Sequence, residues 1–210
     1  MRWATLLGVF CAGSTVSLAG RAEPPPPAQT GFQLALRTGY SLPLGKAERD
    51  LEMSDLASGQ VPIFIEVGGK PIPYLFLGGY MGFGFGGPAG FLKDTCGGRC
   101  SAGAFRIGIE AQAHILPGAF ANPWVGYGIG LESVVVGTGA DDNIGFAGVE
   151  LARFGAGVDF RLTKIFGLGP FAELAMGNYS SISAGDLTAD IAHTAMHEWL
   201  TFGARFVFFP

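Results

Sequence analysis

Residues 104–115 read AFRIGIEAQAHI, and their side chains separate into two sets when every second position is taken. The odd-numbered set is wholly apolar, whereas the even-numbered set contains Arg106, Glu110 and His114. Successive side chains of a β-strand point to opposite faces, while a helix would mix the two sets. The stretch therefore predicts a strand with one apolar and one polar face.

The same alternation recurs in seven other stretches of the chain. They are residues 31–41, 61–67, 74–86, 124–132, 152–162, 171–177 and 199–209. In all eight stretches the apolar face carries no charged residue, as a lipid-facing surface requires. The alternation slips near Glu150 and Leu151, which predicts a β-bulge or a late strand start. Eight such strands predict an all-β protein, an eight-stranded antiparallel transmembrane up-and-down β-barrel.

Composition agrees with a membrane β-protein. The 210 residues are 49% hydrophobic and 14% charged, and 35 of them are glycine, which weakens helix interiors. The net charge of −4 means that the chain has no excess of basic residues, so we expect no nucleic-acid partner. The main rival is a helical inner-membrane protein, because residues 71–92 are uncharged and long enough to span. Seven glycines and three prolines in that segment argue against it.

The predicted connections alternate between long and short. The long ones are residues 42–60, 87–103, 133–146 and 178–198, and the short ones are residues 68–73, 116–123 and 163–170. Outer-membrane barrels place short turns in the periplasm and long loops outside the cell. An even strand number then puts both termini on the short-turn side.

The N-terminal region has the pattern of an export signal. Residues 1–22 carry Arg2 before an uncharged apolar stretch and small residues, which predicts a signal peptide cleaved after Ala19 or Ala22. An uncleaved membrane anchor is the alternative. Residues 23–30 then form a proline-rich linker, and residues 31–210 form the barrel.

Two cysteines remain after the predicted cleavage. Cys96 and Cys100 enclose a short, glycine-containing segment, and an even number of cysteines in an exported chain favours a disulfide. Free thiols are the alternative.

The polar faces of the strands predict a barrel interior rich in charge. Ten charged residues fall there: Arg37, Glu66, Arg106, Glu110, Glu132, Arg153, Asp159, Arg161, Glu173 and Arg205. Five are positive and five negative, and buried charges must be paired. Because the interior of an eight-stranded barrel is only wide enough for side chains, we expect a closed, salt-bridged lumen. A proton or ion path is the alternative. Trp124 and Trp199 share this face and are expected to cap the lumen.

The architecture resembles the small eight-stranded outer-membrane barrels of the OmpA/OmpX/OmpW-like group of Gram-negative bacteria. Residues 200–209 (LTFGARFVFF) are similar to the C-terminal signal of that group, although Pro210 follows the final aromatic residue. The resemblance implies a monomer in the outer membrane, in contact with lipid and lipopolysaccharide, that is inserted by the barrel assembly machinery. The group includes adhesins, complement-evasion proteins, small hydrophobic carriers and lipid A-modifying enzymes, and fold alone does not choose among them.

Residues 186–198 contain the one constellation with possible chemistry. If this segment is helical, His193 and His197 share a face, which makes them weak candidates for a metal site. An exposed amphipathic helix is the simpler interpretation. Ser180, Ser181 or Ser183 could also join a histidine in a lipid-modifying hydrolase.

We therefore expect no cofactor and no enzymatic activity, and a structural or interaction role through surface loops whose partner the sequence does not identify. A carrier of small hydrophobic molecules would instead need a pocket opening sideways near residues 74–86 and 124–132. Residues 46–56, within the first long connection, are expected to form a solvated helical turn with Leu51 and Leu56 against the barrel rim.

Overall fold

The computed structural model describes residues 30–48, 51–89, 100–137, 143–185 and 187–209. The predicted signal peptide, almost all of the predicted linker and Cys96 lie outside these ranges. Within them the chain forms ten strands and one short helix. In chain order they are β1 (Gly31–Glu48), β2 (Leu51–Glu52), α1 (Met53–Leu56), β3 (Ala57–Ile72), β4 (Leu75–Pro88), β5 (Ser101–His114), β6 (Ala121–Gly137), β7 (Asn143–Arg161), β8 (Phe166–Ala184), β9 (Leu187–Asp190) and β10 (Met196–Phe208).

Eight long strands close into one antiparallel barrel, as predicted. Each pairs with the next along the chain, and β10 pairs with both β8 and β1, so that the sheet has no free edge in its midsection. The short strands β2 and β9 extend β1 and β8 at one end of the barrel. We call that end the long-loop end. The opposite end, with residues 30 and 209 and the turns at 73–74, 115–120 and 162–165, is the short-turn end.

The apolar faces of the strands point outward. On β3, for example, Val61, Ile63, Ile65 and Val67 are each about half exposed, while Phe64 and Glu66 between them are buried. The other barrel strands carry similarly exposed large apolar side chains, far more than a soluble monomer shows on one surface. This belt is suited to lipid contact. In the described part of the chain, helices are too short or too polar to cross a bilayer.

The strands run farther toward the long-loop end than the sequence predicts. β1, β6 and β8 continue deep into the expected loops 42–60, 133–146 and 178–198. On β6 the reason is that the inward face becomes apolar while the outward face keeps the exposed Val135, so the two faces no longer differ. Leu131 points outward, whereas Val134 and Val136 point inward and are buried. A search for apolar-outward alternation therefore ends the strand too early.

The irregularity predicted near Glu150 is a β-bulge. The pairing of β7 shifts register between Glu150 and Ala152 against β8, and against β6 the shift lies between Gly128 and Gly130. The bulge places Glu150 and Arg153 on the same, inward side of the sheet, and both are buried.

Glycines on the inner face make room for aromatic rings. A Cβ atom at Gly108 or Gly130 would overlap the hydroxyl of Tyr80, and one at Gly82 would overlap the ring of Phe64. At these three positions the rings fill the space and, as shown below, the arginines lie against them.

Candidate functional site: the ion-paired lumen

Nine charged side chains form one continuous series of ion pairs along the barrel axis, in which acids and arginines alternate. From the long-loop end to the short-turn end the order is Glu132, Arg106, Glu150, Arg153, Glu173, Arg37, Glu66, Arg205 and Asp159. We call this series the charge chain. It brings residues from seven of the eight barrel strands into one network.

Every member of the charge chain is buried. Arg153 Nε lies 2.8 Å from Glu150 Oε1, and Arg205 Nη2 lies 2.9 Å from Glu66 Oε2. Arg37, near the centre, contacts both Glu66 and Glu173. Charges removed from water are tolerated only where partners replace their hydration, so each link depends on its neighbours.

Each arginine of the charge chain also lies over an aromatic ring. The Cζ atom of Arg153 is 3.9 Å from the centroid of Tyr80, and that of Arg205 is 4.7 Å from the Trp124 ring. Arg106 lies 5.1 Å from the Trp199 ring in the same way. Guanidinium groups stack well on ring faces, and the stacked rings occupy lumen space that water would otherwise fill.

Glu132 is the acceptor at the long-loop end of the charge chain. Its Oε1 accepts hydrogen bonds from the Tyr179 hydroxyl and from Trp199 Nε1, each at 2.8 Å. Its Oε2 lies 3.3 Å from Nε2 of His197, whose ring stacks on Tyr179 with centroids 4.0 Å apart. The carboxylate is thus held by donors from β5, β8 and β10.

Nine of the ten charged residues predicted for the lumen are buried inside the barrel, and Arg161 is the exception. Arg161 lies half-buried at the short-turn end of β7, where its Nη2 donates a hydrogen bond to the Pro117 carbonyl oxygen at 3.0 Å. The prediction placed it in the lumen network because strict alternation was carried to the last residue of the strand.

Glu150 and Lys70 are buried charged residues that the sequence prediction missed. Glu150 was hidden by the bulge, since simple alternation places it outward. Combining the predicted bulge with the cost of a charge facing lipid would have assigned it inward. Lys70 lies beyond the predicted end of its strand, with Nζ 4.9 Å from the Phe209 ring.

Glu110 is a side branch of the charge chain. Its Oε2 lies 3.5 Å from Arg37 Nη2, and its Oε1 accepts a hydrogen bond from Gln112 Nε2 at 3.1 Å. Arg37 therefore faces three carboxylates, from Glu66, Glu110 and Glu173.

An apolar cluster fills the barrel interior at the long-loop end, next to Glu132. We call it the outer apolar cluster. Its buried members are Ala47, Met53, Ala57, Ala102, Ala104, Val134, Val136, Phe146, Ala175, Tyr179 and Trp199. The helical turn expected in the first connection is present as α1, but Met53 within it is fully buried in the cluster, and Leu51 packs against it. The segment thus lies across the barrel interior instead of being wholly solvated.

The two candidate histidines do not form the predicted helical pair. Residues 187–190 and 196–208 are strands, so no helix spans the segment among its described residues. His193 is exposed in the connection, whereas His197 is buried in the lumen beside Glu132. The interpretation as an exposed amphipathic helix is wrong for the same reason. In the part of the chain that the structure describes, we find no group of three or more His, Cys, Asp or Glu that could hold a metal ion.

The serines considered for hydrolase chemistry do not meet these histidines in the described contacts. Ser180 and Ser181 donate hydrogen bonds to the carbonyl oxygen of Ala147, each at 3.4 Å. Cys96 lies outside the described residues, so a disulfide to Cys100 stays a prediction.

The two tryptophans expected to cap the lumen are both buried within it. Trp199 belongs to the outer apolar cluster, and Trp124 lies toward the short-turn end. Near Trp124, His114 Nδ1 accepts a hydrogen bond from Asn122 Nδ2 at 2.8 Å, so this buried histidine has a polar partner.

A groove of about 300 Å³ lies on the outward surface across β4, β5 and β6. Its apolar lining comes from Leu77, Ile109, Ala111, Tyr127 and Ile129. This is the region in which a carrier would need a lateral pocket. The pairing of β4 with β5 and of β5 with β6 runs past the groove without a register shift, so the wall behind it is a complete hydrogen-bonded sheet.

Closed topology, an outward apolar belt and an ionic interior together define a small eight-stranded outer-membrane β-barrel. Among solved structures, the chain is similar to Neisserial surface protein A (NspA), with a TM-score of 0.51 and 14% identity over 83% of this chain and 96% of that chain. It is also similar to outer membrane protein AlkL, solved in DMPC lipid bilayers, with a TM-score of 0.52 and 13% identity over 97% of both chains.

These likenesses show the fold, and they agree with an outer-membrane location. No protein-family model matches the chain, and no curated protein matches it.

Proposed function

We propose that this chain is an integral outer-membrane barrel whose lumen passes no solute, and that it acts as a structural or interaction protein through its long-loop end. The charge chain carries this proposal, because it fills the midsection of the lumen with paired side chains. The outer apolar cluster adds a second barrier above Glu132. An open pore would need a continuous wet path, and moving any member of the charge chain aside would leave a buried charge unpaired.

The proposal includes the orientation and the partners of the barrel. The short-turn end faces the periplasm and the long-loop end faces outward, in the pattern of outer-membrane barrels. Lipid and lipopolysaccharide cover the apolar belt, the protein is a monomer, and the barrel assembly machinery inserts it. Phe208 points outward in line with Phe206 and Phe202, so it fits the lipid-facing aromatic of a C-terminal assembly signal better than the buried Phe209.

Epitope tags at the two ends test location and orientation together. A tag inserted after Gly185 lies in the exposed turn between β8 and β9, and a tag after Lys164 lies in the turn between β7 and β8. We expect antibody to label the first on intact cells and the second only after the outer membrane is permeabilised. Labelling in the reverse order, or of neither tag in the outer-membrane fraction, would contradict the proposal.

We also propose that the protein has no catalytic role, since His197 lies against Glu132, and Ser180 and Ser181 donate hydrogen bonds to a backbone carbonyl oxygen. In cells that carry His193→Ala or His197→Ala, lipid A should keep the composition found with the unmodified protein. A lipid A species that disappears in either strain would overturn this part of the proposal.

The groove across β4, β5 and β6 favours a second candidate function, which is the binding of small hydrophobic molecules from the membrane. Ala111 is the smallest of its apolar side chains, so Ala111→Trp should fill the groove without touching the lumen. If the groove is a binding site, wild-type protein in detergent should bind an apolar fluorescent probe that this variant does not bind. Phe83→Trp, on the same belt outside the groove, is the matched control. Equal binding by all three proteins would exclude the groove.

A further inference from the structure

The buried charges of the described lumen do not balance. The cations are Arg37, Lys70, Arg106, Arg153 and Arg205, and the acids are Glu66, Glu110, Glu132, Glu150, Asp159 and Glu173. Six carboxyl groups therefore face five cations. An uncompensated charge in a dry interior is expensive, so one carboxyl must bind a proton or a histidine must become charged.

Of the six buried carboxyl groups, that of Glu110 makes the weakest contact with a cation. In the described lumen, each of the other five acids accepts a hydrogen bond from an arginine. Glu110 accepts one only from Gln112, and its single arginine contact, at 3.5 Å, is too long for a direct hydrogen bond. That arginine, Arg37, is already shared by Glu66 and Glu173.

The surroundings of Glu110 also disfavour a negative charge. The cross-strand neighbours of Glu110 are Gly78 on β4 and Gly128 on β6, which bring no side chain to it. Glu110, Gly78 and Gly128 belong to the lining of the outward apolar groove, so lipid replaces water beyond this part of the wall. The charged and titratable groups around it are Arg37, Glu66, Tyr80, Arg153, Glu173 and Arg205.

A small cavity beside Glu110 has room for a water molecule that could accept a hydrogen bond from the protonated carboxyl group. The cavity measures about 10 Å³, which is room for one water molecule, and its lining includes Arg37, Glu110, Arg153 and Glu173. Oε1 of Glu173 is buried and accepts no hydrogen bond from the described residues. A water in the cavity would accept the hydrogen bond of a protonated Glu110 and donate one to Glu173 Oε1.

We propose that Glu110 is a proton-binding site, occupied at neutral pH, that balances the charge chain through one ordered water bound to Glu173. In the folded barrel the site holds a proton that an exposed glutamate of the unfolded chain has lost. Since the folded state then binds more protons than the unfolded state, the contribution of this site to stability falls as pH rises. Alkaline pH should therefore weaken the barrel.

Infrared spectroscopy of the full chain in lipid vesicles at neutral pH tests the site directly. We expect a protonated-carboxyl C=O band in the wild type that shifts in D₂O. The band should be lost in Glu110→Gln and kept in Glu52→Gln, a matched change at an exposed position on β2. Absence of the band in the wild type would overturn the proposal and would assign the compensating charge to a histidine. Persistence of the band in Glu110→Gln would also overturn it.

Heat-modified gel mobility provides a second readout. Glu110→Gln imitates the protonated state, so its barrel should resist heating at least as well as the wild type at neutral pH. The variant should also lose the part of the alkaline weakening that depends on this site. A barrel that loses heat resistance at neutral pH, or weakens with pH just as the wild type does, would contradict proton binding by Glu110.

Discussion

The barrel interior differs sharply between its midsection and its long-loop end. In the midsection the outer surface is apolar and the interior is ionic, held by the charge chain. At the long-loop end the interior is the outer apolar cluster, and outward positions mix Ser58 and Ser101 with apolar residues such as Val135. The change occurs near Glu132, which accepts hydrogen bonds from Tyr179 and Trp199 at the boundary.

The two halves show how one barrel meets two solvents. Where lipid covers the outside, polar residues are restricted to the interior and must pair with each other there. Where water covers the outside, the interior can be packed as in a soluble protein, by apolar burial. The strand backbone continues across the boundary, and the interior side chains change from ionic to apolar.

The largest effect should follow from breaking the centre of the ionic half. Arg37→Met leaves three carboxylates short of a cation, and loss of one partner from a buried pair costs about 3–5 kcal/mol. We expect a much lower midpoint in urea unfolding, followed by tryptophan fluorescence in lipid vesicles. Arg161→Met, at the half-buried end of β7, should change the midpoint far less. Equal losses in the two variants would contradict the role given to the charge chain.

A core substitution in the apolar half should have a local effect. Phe146→Ala removes a buried ring of the outer apolar cluster, with a cost of about 3 kcal/mol for packing at that site. We expect faster hydrogen exchange of β6 and β7 amides toward the long-loop end, with the midsection unchanged. Uniform acceleration along both strands would show that the two halves unfold as one unit.

Charges placed on the outer surface should distinguish the same halves. Ile107→Arg puts a charge on the lipid-facing belt, which costs about 2–4 kcal/mol near the bilayer midplane. Ser58→Arg, outward at the long-loop end, should have almost no effect. The measurement is the fraction of protein that folds into vesicles. If Ser58→Arg folds as poorly as Ile107→Arg, the boundary has been placed wrongly.

The smallest expected difference in stability is between substitutions of the two lumen tryptophans. Trp199→Phe loses the hydrogen bond to Glu132, and a bond to a charged group is worth about 1.5–3 kcal/mol. Trp124→Phe removes an indole N–H that makes no hydrogen bond to the described residues, so its loss should be below about 1 kcal/mol. Chemical unfolding of both variants measures the difference, and a larger loss for Trp124→Phe would reverse the prediction.

The sequence predicts the midsection well because lipid imposes one rule on it. Every outward position there must be apolar, so period-two alternation reveals the strands and their inward faces. Alternation assigns ten charged residues inward, and the structure places nine of them in the lumen; the exception is Arg161, half-buried at the end of β7.

The long-loop end could not be predicted by the same rule. Val134 and Val136 point inward there while Val135 points outward, so both faces are apolar and the alternation that marks a strand is lost. His197 belongs to the same region. A helical spacing suggested metal binding, whereas its position on β10 turns it inward to Glu132. Register between strands decides which charges meet, and single-strand patterns carry no information on register.

The ion current through the purified barrel in planar lipid bilayers tests the central claim most directly. If the charge chain and the outer apolar cluster close the lumen, the folded wild-type protein should give no channel steps under an applied voltage. A steady conductance that persists in the folded, heat-modifiable protein would contradict a closed lumen.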